Sequence, residues 1–298
     1  MQDRPLLAAA LVVAAMAIIG FIDQFVRLLT IESSLWTFHI VRTAMIAAMA
    51  LLWARAVPGA LTVKRWPAVV ARSLAMSTGL VIYFGALGFL PVAQAAAGLY
   101  TAPLWVLIIS VAAFRRSVGP ARAAAAAAGF AGVVLVLSPD PSALGWGTVL
   151  PVAAGLFYGL GVTVTRVWCR EERALVLGLG SFLCLGLWGL CGIGVAAALG
   201  TEGDNFITRG WVAPSASVLW ICFLQAAGSL VAVVLLTRAY LMAEASQIAL
   251  LEYTVLAFSA LFGFLIWRDE IGPAGFVGLA VIAAAGSVIA WRERRLAR

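Results

Sequence analysis

The sequence predicts an all-α membrane protein: ten transmembrane helices arranged as two inverted-topology five-helix repeats around a central cavity. Three observations lead there: the composition, the length of the apolar runs, and a match of the chain with itself. Of 298 residues, 64% are hydrophobic and 11% charged, and the mean hydropathy is +1.06. A soluble domain carries about 25% charge, so this composition excludes a water-soluble globule. The length suits roughly ten crossings of about 20 residues with short links. The runs are continuously apolar, whereas barrel strands alternate over about 10 residues, so helices are preferred.

Pro, Gly and polar punctuation places the spans near 6–29, 35–54, 68–89, 92–113, 119–138, 146–167, 174–199, 215–237, 245–267 and 273–291. The first, from Leu6, exceeds a secretory signal's apolar core and lacks its cleavage pattern, so it is read as retained. With the N-terminus inside, 16 of the 20 Lys and Arg fall on the cytoplasmic side, among them Arg4, Lys64, Arg115, Arg170 and the tail WRERRLAR. This positive-inside bias puts both termini in the cytoplasm. The net charge of +7 does not cluster on one amphipathic element, which argues against nucleic acid. Cys169, Cys184, Cys191 and Cys222 show no paired spacing, so neither a disulfide framework nor a zinc site is indicated.

Shifted by 153 residues, the chain meets itself without gaps: Gln94 on Gln247, Tyr100-Thr101 on Tyr253-Thr254, Arg115 on Arg268, and Gly119-Pro120 on Gly272-Pro273. A weaker match at offset 139 sets Gly20 on Gly159 and Arg27 on Arg166. Spans 1 to 5 (residues 1–140) are therefore expected to recur as spans 6 to 10 (residues 141–298). Five is odd, so the second copy enters the membrane from the opposite side, the inverted repeat of many secondary transporters.

Three segments carry a resemblance: RTAMIAAMALLWA in span 2; AAAGLYTAPLWVLIISVAAF and GPAR in spans 4 and 5; and ALLEYTVLAFSALFGFLIWRDEIGPAGFVG in spans 9 and 10. In their order and spacing the chain resembles the EamA branch of the drug/metabolite transporter superfamily, and within it the YddG-type exporters of aromatic amino acids. It departs from that pattern at Arg116-Ser117, where an acidic residue is usual, and at Leu256, where proline is frequent. The resemblance implies a ten-helix bacterial inner-membrane carrier exporting small amphipathic metabolites by alternating access, foremost aromatic or other neutral amino acids. Exporters of drugs or cationic compounds are the alternative within that class; a lipid translocase or an intramembrane enzyme lies outside it.

Span 4 presents Gln94, Gly98, Thr101 and Trp105 on one helical face, and span 9 repeats it as Gln247, Leu251, Thr254 and Phe258. In lipid, such polar faces turn into the bundle, where the amides either line a cavity or stitch helices together. Tyr100 and Tyr253 occupy equivalent places, and Pro103, unable to donate to Leu99, is expected to bend span 4. Tyr83, Trp105 and Tyr158 would complete an aromatic chamber for a planar or cationic ligand. Trp36, Trp66, Trp146, Trp211, Trp267 and Trp291 are assigned instead to the interfacial belt.

Glu252 lies roughly 10 Å inside span 9 and is the leading candidate carboxylate. Charged, it could hold a substrate amine; protonated, it could couple transport to a proton; as a neutral acid bonded to a neighbour it would be structural. Asp23, Gln24 and Arg27 share a face of span 1, with Asp23 and Arg27 spaced as an i,i+4 pair. With His39 and Arg42 they form a self-paired cluster, an outer gate, or an anchor for a carboxylate through Arg42. Gln225, midway along span 8, faces the same chamber, and Gly155 to Gly159 (GLFYG) is a helix-contact seam. There is no Walker loop and no HExxH, and the AMSTG run at Ser77 lacks the strand-to-helix turn of a nucleophile elbow. The chain reads as no enzyme, with no cofactor or metal. Its partners are a small-molecule substrate and membrane lipid, and a monomer is compatible with the pattern.

Overall fold

The computed structural model describes residues 5–86, 98–113, 115, 119–137, 146–200, 203–243, 245–268 and 272–296. Among these residues the regular structure is entirely helical. Helix α1 (Pro5–Ile22) passes through a 3₁₀ turn (Asp23–Phe25) into α2 (Val26–Glu32). Then follow α3 (Leu35–Ala56), α4 (Trp66–Ala86), α5 (Ala102–Ala112), α6 (Pro120–Leu137), α7 (Trp146–Trp168), α8 (Ala174–Leu199), α9 (Ala216–Met242), α10 (Ala245–Leu251), α11 (Thr254–Trp267) and α12 (Pro273–Leu296). Seven stretches among the described residues are long and apolar enough to cross a membrane, and three shorter apolar helices lie at Ala102–Ala112, Ala123–Leu135 and Pro273–Ile282. Large apolar side chains such as Leu52, Leu187 and Leu190 stay more than half exposed, as a lipid-facing surface requires.

Local chemistry starts two of the long helices. Ser34 and Ser215 accept hydrogen bonds from the third residue onward, Thr37 N at 3.1 Å and Val218 N at 3.2 Å, so each caps otherwise orphaned donors. The helices then pack in a reciprocal pattern: α4 against α7 and α8, α1 against α9 and α11, α3 against α8 and α9, α5 against α7, and α6 against α12. Glycines permit the approach. A Cβ on Gly79 would stand 2.8 Å from the Ala154 carbonyl oxygen, and one on Gly98 would stand 2.1 Å from Pro151 Cβ. The GLFYG seam faces α5, with Gly155 against Thr101 and Gly159 against Trp105.

A carboxylate ties loops together at each end of the bundle. Beyond α3, Glu172 accepts from the backbone N–H groups of Lys64, at 3.1 Å, and Arg65, at 2.6 Å. At the other end Glu32 accepts from Ser215 Oγ, at 3.1 Å, and Ser217 Oγ, at 2.5 Å.

Four expectations need correction. The ninth span is not one rod: Glu252 and Tyr253 form a turn between α10 and α11, with Val255 N and Leu256 N bonded to the carbonyls three residues back, so the face from Gln247 to Phe258 is interrupted. Pro103 does not bend a continuous helix. Tyr100 and Thr101 form a turn and Pro103 sits in the first turn of α5, where its missing N–H costs no bond. Asp23 and Arg27 do not stack as an i,i+4 pair, because the Asp23–Phe25 turn is 3₁₀ and shifts the register. Finally, α9 runs to Met242, beyond the expected end at 237, because the cation Arg238 does not interrupt a helix packed on its neighbours.

Candidate functional site

A cavity of about 140 Å³ lies between the helices. Much of its polar lining falls into two groups, or lobes. In one, the turn between α10 and α11 points the Glu252 carboxylate at two phenols. Tyr158 of α7 donates to Oε2 at 2.8 Å, and Tyr240 of α9 donates to Oε1. Both carboxylate oxygens are thus satisfied away from water, as burial demands. Beside them, Tyr253 lines the wall and donates from its hydroxyl to the Tyr100 main-chain oxygen at 3.2 Å.

In the other lobe, Asp23, Arg42 and Gln225 line the cavity. Gln225 is fully buried. Its Nε2 donates to the Ile22 carbonyl oxygen at 2.8 Å and to Asp23 Oδ1 at 3.4 Å, while its Oε1 has no partner among the described residues. Arg42, only 3% exposed, lies over the Phe38 ring at 4.4 Å, with Phe84 at 5.3 Å and Phe182 at 5.4 Å. Its Nη2 donates to His39 Nδ1 at 3.3 Å. Arginine can only donate, so that contact makes Nδ1 the acceptor and leaves the His39 proton on Nε2.

Of the residues singled out from the sequence, Tyr83, Tyr100, Tyr158, Gln225, Glu252, Tyr253, Asp23, Arg42 and Pro103 meet at this cavity. Others lie off its wall. Thr101 bonds the Gly98 carbonyl at 2.7 Å and receives the Trp105 indole N–H at 3.1 Å, so this pair is occupied with itself. Gln24 ties α1 to α11 through the carbonyls of Gly20, at 2.9 Å, and Ser259, at 3.2 Å. Arg27 lies over the Trp267 ring at 3.5 Å, and His39 is buried behind Arg42 with an edge-to-face contact on Phe84. Gln94 and the Gln247 side chain lie outside the described residues.

Sequence reasoning passed over Tyr240, because the span was closed before Arg238, two residues after the last aliphatic run. It also counted Arg72 only as a topological charge. Arg72 is 1% exposed and ties four helices: Nε donates to Thr165 Oγ1 at 2.9 Å, Nη1 to the Leu177 carbonyl at 2.6 Å and to Ser181 Oγ, and Nη2 to Thr237 Oγ1 at 3.5 Å. The available signal was its position, seven residues into a span by the structure's own boundary at Trp66.

With this geometry in view, the chain matches no family model. It is 29% identical over 231 residues to a riboflavin transporter of Rhizobium johnstonii, covering 77% of this chain and 72% of the relative. It is also 25% and 27% identical to uncharacterized transporters from two strains of Helicobacter pylori, in each case over 74% of this chain and 71% of the relative. A solved crystal structure superimposes with a TM-score of 0.79 at 18% identity, covering 97% of this chain and 98% of the other, so the fold is shared throughout. The helices, the cavity between them and these relatives define a multi-pass membrane transporter and not an enzyme. Of these three relatives, the one from Rhizobium johnstonii is named for its substrate, riboflavin.

Proposed function

We propose that the chain is a secondary carrier of the EamA type, ten helices built as two inverted repeats, 1–140 and 141–298, that exports small amphipathic metabolites by alternating access. Aromatic or other neutral amino acids are the favoured substrates. The inner membrane of a bacterium, with both termini cytoplasmic, is its setting. The observation that carries the reading is the cavity itself, walled by Tyr83 and Tyr100 from the first repeat and by Tyr158, Tyr240 and Glu252 from the second. Two packing features support the repeat. Pairs exchanged by the proposed symmetry are both packed: α4 on α7 with α9 on α1, and α5 on α7 with α11 on α1. Among the described residues, Arg115 and Arg268, 153 positions apart, are the non-glycine residues with positive φ, at 49° and 60°.

In this scheme the glycine seams let one repeat rock on the other, while the carboxylate ties at Glu172 and Glu32 form and break at alternate faces. Glu252, held between two phenols, would take part in proton coupling by exchanging its bonds to Tyr158 and Tyr240 for a proton or a substrate amine. The cavity of about 140 Å³ is below the roughly 300 Å³ at which sites for drug-sized ligands begin, which favours an amino acid. The test is uptake of labelled phenylalanine into proteoliposomes, with unlabelled amino acids as competitors; indifference to every amino acid would end this substrate assignment.

A second reading rests on the named relative: the substrate is a planar heteroaromatic such as riboflavin. It requires the cavity to widen in another state of the cycle. Riboflavin competing with labelled substrate where amino acids fail would select it.

A further inference from the structure

We infer that the lobe formed by Asp23, Arg42 and Gln225 is a clamp for a zwitterionic head group, a carboxylate and an ammonium carried on one small ligand. The inference deepens the carrier reading above and rests on it. Its basis is a set of buried polar groups that the protein leaves unsatisfied. Arg42 is 3% exposed, its Nε has no acceptor, and no carboxylate among the described residues forms an ion pair with it. Its recorded bond is to a neutral ring nitrogen, and its other neighbours are aromatic faces. A buried guanidinium in that condition has surrendered its hydration without gaining an anion, which is costly unless something else supplies one.

Asp23 faces the same lobe and is within electrostatic reach of Arg42, yet the two do not pair. Its carboxylate receives a long 3.4 Å contact from Gln225 Nε2, and Gln225 Oε1, fully buried, has no donor among the described residues. One cation and one anion held apart in a shared cavity match a ligand with the reverse arrangement. The ligand carboxylate would dock on Arg42, whose fork suits two oxygens, and its ammonium on Asp23 Oδ and Gln225 Oε1. Asp23 and Arg42 together carry no net charge, so the clamp rejects a bare anion or a bare cation, each of which would leave one group unpaired. The aromatic wall at Tyr83 and Phe84 remains for the side chain. A neutral flavin would satisfy neither charge.

Calorimetric titration of the detergent-purified chain with phenylalanine, phenylalaninamide, phenethylamine and 3-phenylpropionate tests this without altering the protein. Phenylalanine is expected to bind about tenfold or more tightly than each analogue lacking one charge. In Arg42→Met the gap between phenylalanine and its amide is expected to close; in Asp23→Asn the gap between phenylalanine and 3-phenylpropionate should close instead. If Arg42→Met fails to fold, the series on the native chain still decides. Equal binding of all four, or binding of none, overturns the clamp. Equal binding together with continued uptake of phenylalanine into proteoliposomes would overturn the clamp and leave the carrier standing. Absence of any uptake, of riboflavin included, would instead strike the carrier reading.

Discussion

The Tyr253 hydroxyl donates to the main-chain oxygen of Tyr100 at 3.2 Å, joining residues 153 positions apart, the offset at which the sequence matches itself. Each tyrosine also stands in a turn that interrupts its span. On the inverted-repeat reading, equivalent residues meet across the pseudo-twofold axis, and the open carbonyl that a helix break creates finds its donor in the other repeat. Tyr253→Phe removes that donor and leaves the ring in place. Thermal unfolding in detergent should show a loss of about 1 kcal/mol, and an unchanged midpoint would mean the bond contributes nothing.

Glu252→Gln keeps the shape and one acceptor but removes the charge between Tyr158 and Tyr240. Because hydrogen bonds to a charged group are worth about 1.5–3 kcal/mol, transport rates are expected to fall roughly 10- to 100-fold while the fold survives. Tyr240→Phe should produce a smaller defect of the same kind, since Tyr158 still holds the other oxygen. Full-rate uptake by Glu252→Gln in proteoliposomes would remove the residue from the mechanism.

The seam between α4 and α7 is closest at Gly79, where an added Cβ would meet the Ala154 oxygen and the Tyr158 nitrogen, each at 2.8 Å. Backbone on the far side has nowhere to retreat. Gly79→Val is expected to cost about 1–3 kcal/mol and to lower the monodisperse fraction in fluorescence-detected size-exclusion chromatography. Gly119→Ala, with open space around the site, should leave that profile as it is.

Glu172 ties the loop before α4 to the loop before α8, next to the buried thiol of Cys169. Losing the carboxylate in Glu172→Ala frees two backbone donors and loosens that end of the bundle. In a chain whose other cysteines are replaced by serine, Cys169 should then react several-fold faster with maleimide, and addition of substrate should change the rate. Equal labelling with and without Glu172 would show that the tie does not govern access.

Much of the architecture is legible in one dimension. A membrane interior cannot hydrate a peptide group, so long apolar runs must be helices, and their punctuation marks the ends to within a few residues at Leu35, Ala174 and Pro273. Tyr100, Tyr253, Gln225 and Glu252 stand out because polar and aromatic groups inside such runs need an explanation. The errors fall where a local rule meets packing: Pro103 reads as a kink but begins a helix, and Arg238 reads as an end but lies within one.

The amino-acid order by itself therefore determined that this is a helical membrane protein, and which residues are too polar to face lipid, because transfer free energy is a property of each residue and its near neighbours. Only the tertiary structure decided which of those residues meet. Tyr158 and Tyr240 come from two separate helices and Glu252 from the turn between α10 and α11, and the 3₁₀ turn carries Asp23 away from Arg27 toward Gln225. Convergence of that kind depends on how far each helix is rotated about its axis, and close contacts at positions such as Gly79 and Gly98 set that rotation across distances no local pattern records.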